Sequence, residues 1–247
     1  MRICVTGDTH YNYDISKIVD LPYNVEKYNA EPLGVGDYLI IAGDFGIPKF
    51  GRTLDIEDTY LDFYINQPYT TLFIDGNHEN FDELNSLPVE EWNGGKIHKL
   101  ANNVIHLMRG QVFNIEGVKI FTLGGAYSPD KDLRIPGFTW FEEEEVSVND
   151  MDEALNNLGK HNYKVDYVIT HTCGAEFLKK NAYLFGFVFR PDYCKKTENF
   201  LDYLHDDITC KKWIFGHFHK DLMIDTKYIS AYNKIYELKD EELIGVY

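Results

Sequence analysis

Five apolar runs punctuate the chain, and each one ends in small or polar residues: RICVTGD (2–8), DYLIIAGD (37–44), TTLFIDGN (70–77), DYVITHT (166–172) and KWIFGHFH (212–219). Such runs are continuous rather than alternating, which suits strands buried on both faces. The intervals between them read as helices. In DMDEALNNLGKH (150–161), Asp150 is the expected N-cap, Glu153 occupies the capping-box position and Gly159 is the expected stop. TENFLDYLHDD (197–207) places Phe200, Leu201 and Leu204, with Ile208 beyond, on one face and offers Thr197 as a cap. IEDTYLDFYI (56–65) and the stretch after GNHEN (76–80) also read as helix.

The middle of the chain follows another rhythm. NVIHLMRGQVFNIEGVKIFTLGG (103–125) alternates and turns at IEGV, which predicts a hairpin feeding a further strand. MIDTKYISAYNKIYELK (223–239) predicts late strand pairs, and the acidic run Glu142 to Glu145 reads as a solvated surface. With no internal repeat or linker, the pattern predicts one layered α/β domain with two sheets over residues 1–247.

Composition narrows the function. A net charge of −16 disfavours general binding to nucleic acid or to an anionic membrane. No apolar span approaches the length a membrane helix needs. The opening MRICVTGD lacks a charged segment followed by an apolar one, and the four cysteines show no CxxC spacing. A cytoplasmic protein with reduced thiols is therefore expected, with Cys4 as core filler.

Each strand-like run ends in metal-ligand chemistry. GDTH supplies Asp8 and His10, GDFG supplies Asp44, GNHE supplies Asn77 and His78, THT supplies His171, and GHFH supplies His217 and His219. Sites in open α/β sheets form at the carboxyl ends of strands, and glycine there permits sharp turns and close approach. Singly these motifs are weak, but five of the nine histidines fall at these strand ends. His98, His106, His161 and His205 have no such setting. A mixed oxygen and imidazole ligand set follows, better suited to Mn, Fe, Zn or Ni than to Mg or Ca.

The ordered set GDTH, GDFG, GNHE, THT and GHFH, spanning Asp8 to His219, resembles the calcineurin-like metallophosphoesterases. The resemblance implies a four-layer α/β/β/α sandwich with two mixed β-sheets and a dinuclear metal centre. It implies one ion held by Asp8, His10, Asp44 and His219, and a second held by Asp44, Asn77, His171 and His217, with Asp44 bridging. Two divalent ions against two carboxylates leave the site about +2, which selects a phosphate ester and activates a water for attack. His78 would then protonate the departing alkoxide as general acid.

Two departures refine the expectation. Members that are protein phosphatases carry GDxxDRG at the second motif, whereas this chain reads GDFGIPKFG, with Ile47 and Pro48 replacing the acid and the arginine. His78 therefore lacks its usual orienting acid, and a phosphoprotein substrate is disfavoured. The segment GGAYSPDKDLRIPGFTWFEEEE (124–145) resembles one in small bacterial and phage-type members. There Arg134 could clamp a phosphate, and Trp140 or Phe141 could stack on a base or sugar. The expected substrate is a small or nucleotide-like phosphate ester. The alternatives are a nuclease on short single strands and a catalytically idle scaffold or binding protein.

Overall fold

In the computed structural model, which describes residues 1–20, 31–49, 59–239 and 242–245, the five predicted strands all form. They are β1 (Ile3–Thr6), β2 (Tyr38–Ala42), β3 (Thr70–Ile74), β9 (Tyr167–Thr170) and β10 (Lys212–Phe215). Around them lie β4 (Val89–Trp92), β5 (Gly95–Ala101), β6 (Val104–Leu107), β7 (Gln111–Ile115) and β8 (Val118–Leu123). The remaining strands are β11 (Leu222–Ile224), β12 (Tyr228–Ser230), β13 (Tyr236–Lys239) and β14 (Glu242–Gly245).

These strands form two mixed sheets, ordered β14-β13-β1-β2-β3-β6-β5-β4 and β11-β12-β10-β9-β8-β7. The centre of each is parallel: β1, β2, β3 and β6 in the first, β8, β9, β10 and β12 in the second. Period-two alternation explains the continuous apolar runs. In β2, Ile40 and Ala42 face the core between the sheets, while Leu39 and Ile41 face the outer layer.

Helices cover both outer faces. On the first sheet lie α1 (Ser16–Val19), α2 (Thr59–Ile65) and α3 (Phe81–Ser86), anchored by Ile18, Tyr64 and Leu84. On the second lie α4 (Val148–Lys160), α5 (Ala175–Phe185) and α6 (Lys196–His205), anchored by Leu158, Leu178 and Leu201 among others. The result is the four-layer α/β/β/α sandwich. The carboxyl ends of β1, β2, β3, β9 and β10 lead into the five motifs.

Three local expectations need correction. Helix α4 starts three residues earlier than predicted, because Ser147 rather than Asp150 caps it: its Oγ accepts from the Asp150 N–H, and the Asp150 carboxylate accepts from the Ser147 N–H. Thr197 is not a cap; it is buried, and its Oγ1 accepts from the Val146 N–H. The acidic run is not wholly solvated, since Glu144 is buried. Residues 56–58 of the predicted third helix lie outside the described residues; the rest of it forms α2. All four cysteines are free thiols.

Candidate metal centre

Close approach between loops builds the site. A Cβ on Gly76 would lie 2.0 Å from Asp44 Oδ1, and one on Gly43 would lie 2.0 Å from His171 Nδ1. Glycine at these strand ends lets the next loop place its polar side chain against the backbone. The chain also accepts strain here. His10, Asp44, His217 and His219 sit at φ of 45°, 49°, 67° and 50°, a region costly for residues with a Cβ. Four of the seven candidate ligands are held this way.

The side chains converge around Asp44. Its Oδ2 lies 3.0 Å from His10 Nε2 and 3.4 Å from His171 Nε2, while its Oδ1 accepts from the His78 backbone N–H at 2.8 Å. His171 Nε2 also lies 3.0 Å from Asn77 Oδ1. Asp8 faces His219, with Oδ2 and Nε2 3.0 Å apart, and Asp8 Oδ1 accepts from the His217 backbone N–H at 3.0 Å. The His217 ring packs edge-on against His171 at 5.0 Å. Among the described residues, three groups have ligand atoms within 4.8 Å of one another: Asp8, His10 and His219; His10, Asp44 and His78; and Asp44, His171 and His217.

Neighbours fix how the rings point. His171 Nδ1 donates to the Ala42 carbonyl at 2.9 Å, leaving Nε2 for the centre. Asp14 Oδ2 holds His10 Nδ1 at 2.7 Å, and the Tyr232 hydroxyl donates to the other Asp14 oxygen. His219 stacks on Tyr232 at 4.7 Å. Asn77 Nδ2 donates to Ser128 Oγ at 2.9 Å, so its Oδ1 faces His171. The Glu79 carboxylate accepts from the backbone N–H groups of Phe45 and Gly46, tying GNHE to GDFG. Burial pushes that carboxyl up to about 8.

The donor set fits divalent cations. Asp8 Oδ2 is buried without an aligned hydrogen-bond partner, an arrangement that is costly unless positive charge meets it. Burial alone would lower His10 and His171. The two buried carboxylates outweigh it, chiefly Asp44, and raise them to about 9 and about 10. A cluster that draws protons so strongly suits cations that would displace them. His217 behaves oppositely, falling to about 3 through burial and the neighbouring His171.

His78 does have a partner, and its identity was not legible at the second motif. Arg134 Nη2 lies 3.1 Å from His78 Nε2. Arg134 Nη1 reaches Glu144 Oε1 at 3.3 Å, and Glu144 Oε2 receives the Ser128 hydroxyl. Ser128 in turn takes the Asn77 amide, so Asn77 and His78 are joined through Ser128, Glu144 and Arg134. Burial lowers the His78 pKa, and the Arg134 charge lowers it further against Asp44. Ile47, which replaces the usual acid, is buried in the core.

Of the two aromatic candidates, Phe141 is placed differently from expectation, while Trp140 is partly exposed. Phe141 is buried against Phe81 at 6.0 Å, and its N–H donates to Glu144 Oε1. Its ring therefore supports the wall from behind and offers no open face for stacking. The Trp140 ring lies 5.7 Å from the Lys131 ammonium. A separate cavity of about 450 Å³, lined by Asp75, His98, His106 and Arg109 among others, includes none of the seven candidate ligands.

The family model for calcineurin-like phosphoesterase matches residues 1–221. The chain is 30% identical over 146 residues to lariat debranching enzyme of Drosophila melanogaster, covering 54% of this chain and 25% of that protein. It is 26% identical over 180 residues to lariat debranching enzyme of Entamoeba histolytica, covering 70% of this chain and 48% of that protein. The matches thus span between a quarter and a half of these relatives' lengths. A 5′-nucleotidase structure from Staphylococcus aureus overlaps 99% of this chain and 54% of its own, with 15% identity and a TM-score of 0.47. Among the described residues no helix is long and apolar enough to cross a membrane.

Proposed function

The chain belongs to the calcineurin-like phosphoesterase family of metal-dependent hydrolases acting on phosphoester bonds, and from that premise we propose a dinuclear centre hydrolysing a small or nucleotide-like ester. The observation that carries this reading is Asp44 Oδ2, which lies between His10 Nε2 at 3.0 Å and His171 Nε2 at 3.4 Å. One carboxylate facing two imidazole clusters suits a bridge. In this reading Asp8, His10, Asp44 and His219 hold one ion, and Asp44, Asn77, His171 and His217 hold the other. Residues 1–247 form one catalytic domain, and the imidazole-rich donor set selects Mn, Fe, Zn or Ni.

When bound, the ions supply positive charge against the phosphoryl oxygens and a water acidified towards neutral pH. The remaining work falls to this chain's side chains. Arg134 turns from His78 to the phosphate, which frees His78 Nε2 to carry a proton. His78 gives that proton to the departing alkoxide. Glu144 and Ser128 keep Arg134 and Asn77 aimed, replacing the acid missing at Ile47.

A second reading, a phosphodiesterase on short single strands, draws support from the likeness to lariat debranching enzymes. The net charge of −16 confines it to strands short enough to be held by the centre alone. The deciding experiment is a panel of phosphomonoesters, cyclic nucleotides and short linear and branched oligonucleotides, with Mn²⁺-loaded protein and with chelator. Turnover of at least one ester, abolished by chelator, is expected; a loaded protein inert on the whole panel would favour the idle scaffold. Arg134→Ala is expected to raise KM for the best ester by about tenfold or more while metal content is unchanged. Glu144→Gln should raise KM in the same direction but less. Unchanged kinetics in Arg134→Ala would return the 126–145 segment to a purely structural role.

A further inference from the structure

We propose that a small cavity beside the centre seats a single-ring aromatic portion of the substrate. The cavity measures about 170 Å³ and is lined by Pro129, Thr172, Leu178, Phe187, His217 and Phe218, with Glu198 completing it. His217 connects it to the centre: the same imidazole that stands among the candidate ligands packs edge-on against Phe218 at 5.0 Å. Pro129 also lines it, directly after Ser128, which holds Asn77. The cavity is therefore bordered by His217 itself and by the segment whose Ser128 holds Asn77.

Size and lining select the occupant. An apolar cavity of roughly 150 Å³ accepts one benzene-sized ring, so this one takes a six-membered ring and excludes a fused pair. The walls are preset for it. Phe218 packs on Phe185 at 4.6 Å and lies 6.2 Å from Phe187 with only 24° between their planes. Leu178, buried on α5, closes the apolar side. Two polar groups also line it. Thr172 Oγ1 is buried with no hydrogen-bond partner. The buried Glu198 is fixed by backbone N–H groups of Tyr127 and Lys195, one to each carboxylate oxygen, which leaves both oxygens further accepting capacity. A ring with a hydrogen-bonding edge atom, such as a pyrimidine or a phenol, matches this arrangement better than a saturated group.

The inference rests on the proposed phosphoesterase reading only in assigning the ring to the ester, and its test is independent of turnover. Benzylphosphonate, ethylphosphonate and naphthylmethylphosphonate, none of them hydrolysable, are titrated calorimetrically into the Mn²⁺-loaded protein. Benzylphosphonate is expected to bind at least about tenfold more tightly than either of the others, from burial of one ring. Leu178→Phe, which fills the cavity, should remove that advantage while ethylphosphonate affinity stays the same. Phe187→Ala, which opens a wall instead, should shrink the advantage several-fold and covers the case of a poorly folding Leu178→Phe. Equal affinity for all three phosphonates, tightest binding of the naphthyl compound, or an advantage that survives both variants would overturn the inference. Failure to hydrolyse any ester would strike the proposed reaction and leave these affinities intact.

Discussion

Replacing His78 by alanine is expected to preserve metal content and to remove activity selectively, by roughly 10²–10⁴-fold on an alkyl or nucleoside phosphate. A nitrophenyl ester should be largely spared, because nitrophenolate departs without a proton whereas an alkoxide needs one. The structure explains why the scaffold survives the change. The contact from position 78 to Asp44 Oδ1 is made by the backbone N–H, which alanine retains. The ring is lost, with its 3.1 Å contact to Arg134 and its packing against His10 at 5.5 Å. Steady-state kinetics on the two ester types, paired with elemental analysis, check this directly. Equal losses on both esters, or the loss of an ion, would assign His78 another role.

The second large effect is expected on stability. Arg109 is buried and donates to Asp75 Oδ2 through both Nε, at 2.8 Å, and Nη2, at 2.5 Å. It also donates to the carbonyls of Glu143 and Glu145, and His106 Nε2 meets the other Asp75 oxygen at 3.1 Å. Removing one partner of a buried ion pair strands the other charge. Arg109→Ala should therefore destabilise the fold by about 3–5 kcal/mol in denaturant unfolding. The pH dependence follows from the same contacts. Burial would raise the Asp75 pKa, but Arg109 and His106 outweigh it and hold it well below the usual carboxylate range. Its contribution is thus complete above the unfolded value, about 3.9, and fades as pH falls below that. In Arg109→Ala this contribution disappears, so the variant's stability should fall less steeply below about pH 4. Retained stability at neutral pH would show that the buried Arg109–Asp75 pair does not hold the fold together.

The strands that carry the site were legible because burial on both faces leaves a continuous apolar run, and the polar corner at each end interrupts it sharply. The seven candidate ligands and His78 lie where those interruptions predict. What escaped depends on partners distant in sequence. Helix α5 has Gly174 at its N-cap, and Asp202 of α6 accepts its Glu176 N–H, so no local cap announces it. Glu144 reads like the rest of its acidic run, and its contacts with Ser128, Arg134 and the Phe141 N–H reveal why it is buried. Asp14 and Tyr232, which aim His10, are 218 residues apart. One signal was present and overlooked: Asn93-Gly94 between two strand-like runs, both at positive φ, marks the β4–β5 hairpin.

Whether a pair of ions shares Asp44 is read most directly from metal stoichiometry after reconstitution with Mn²⁺. Close to two equivalents per chain are expected in the parent protein, with a clear loss of occupancy in Asp44→Asn. A ceiling of one equivalent, with Asp44→Asn binding as much metal as the parent, would contradict the shared pair.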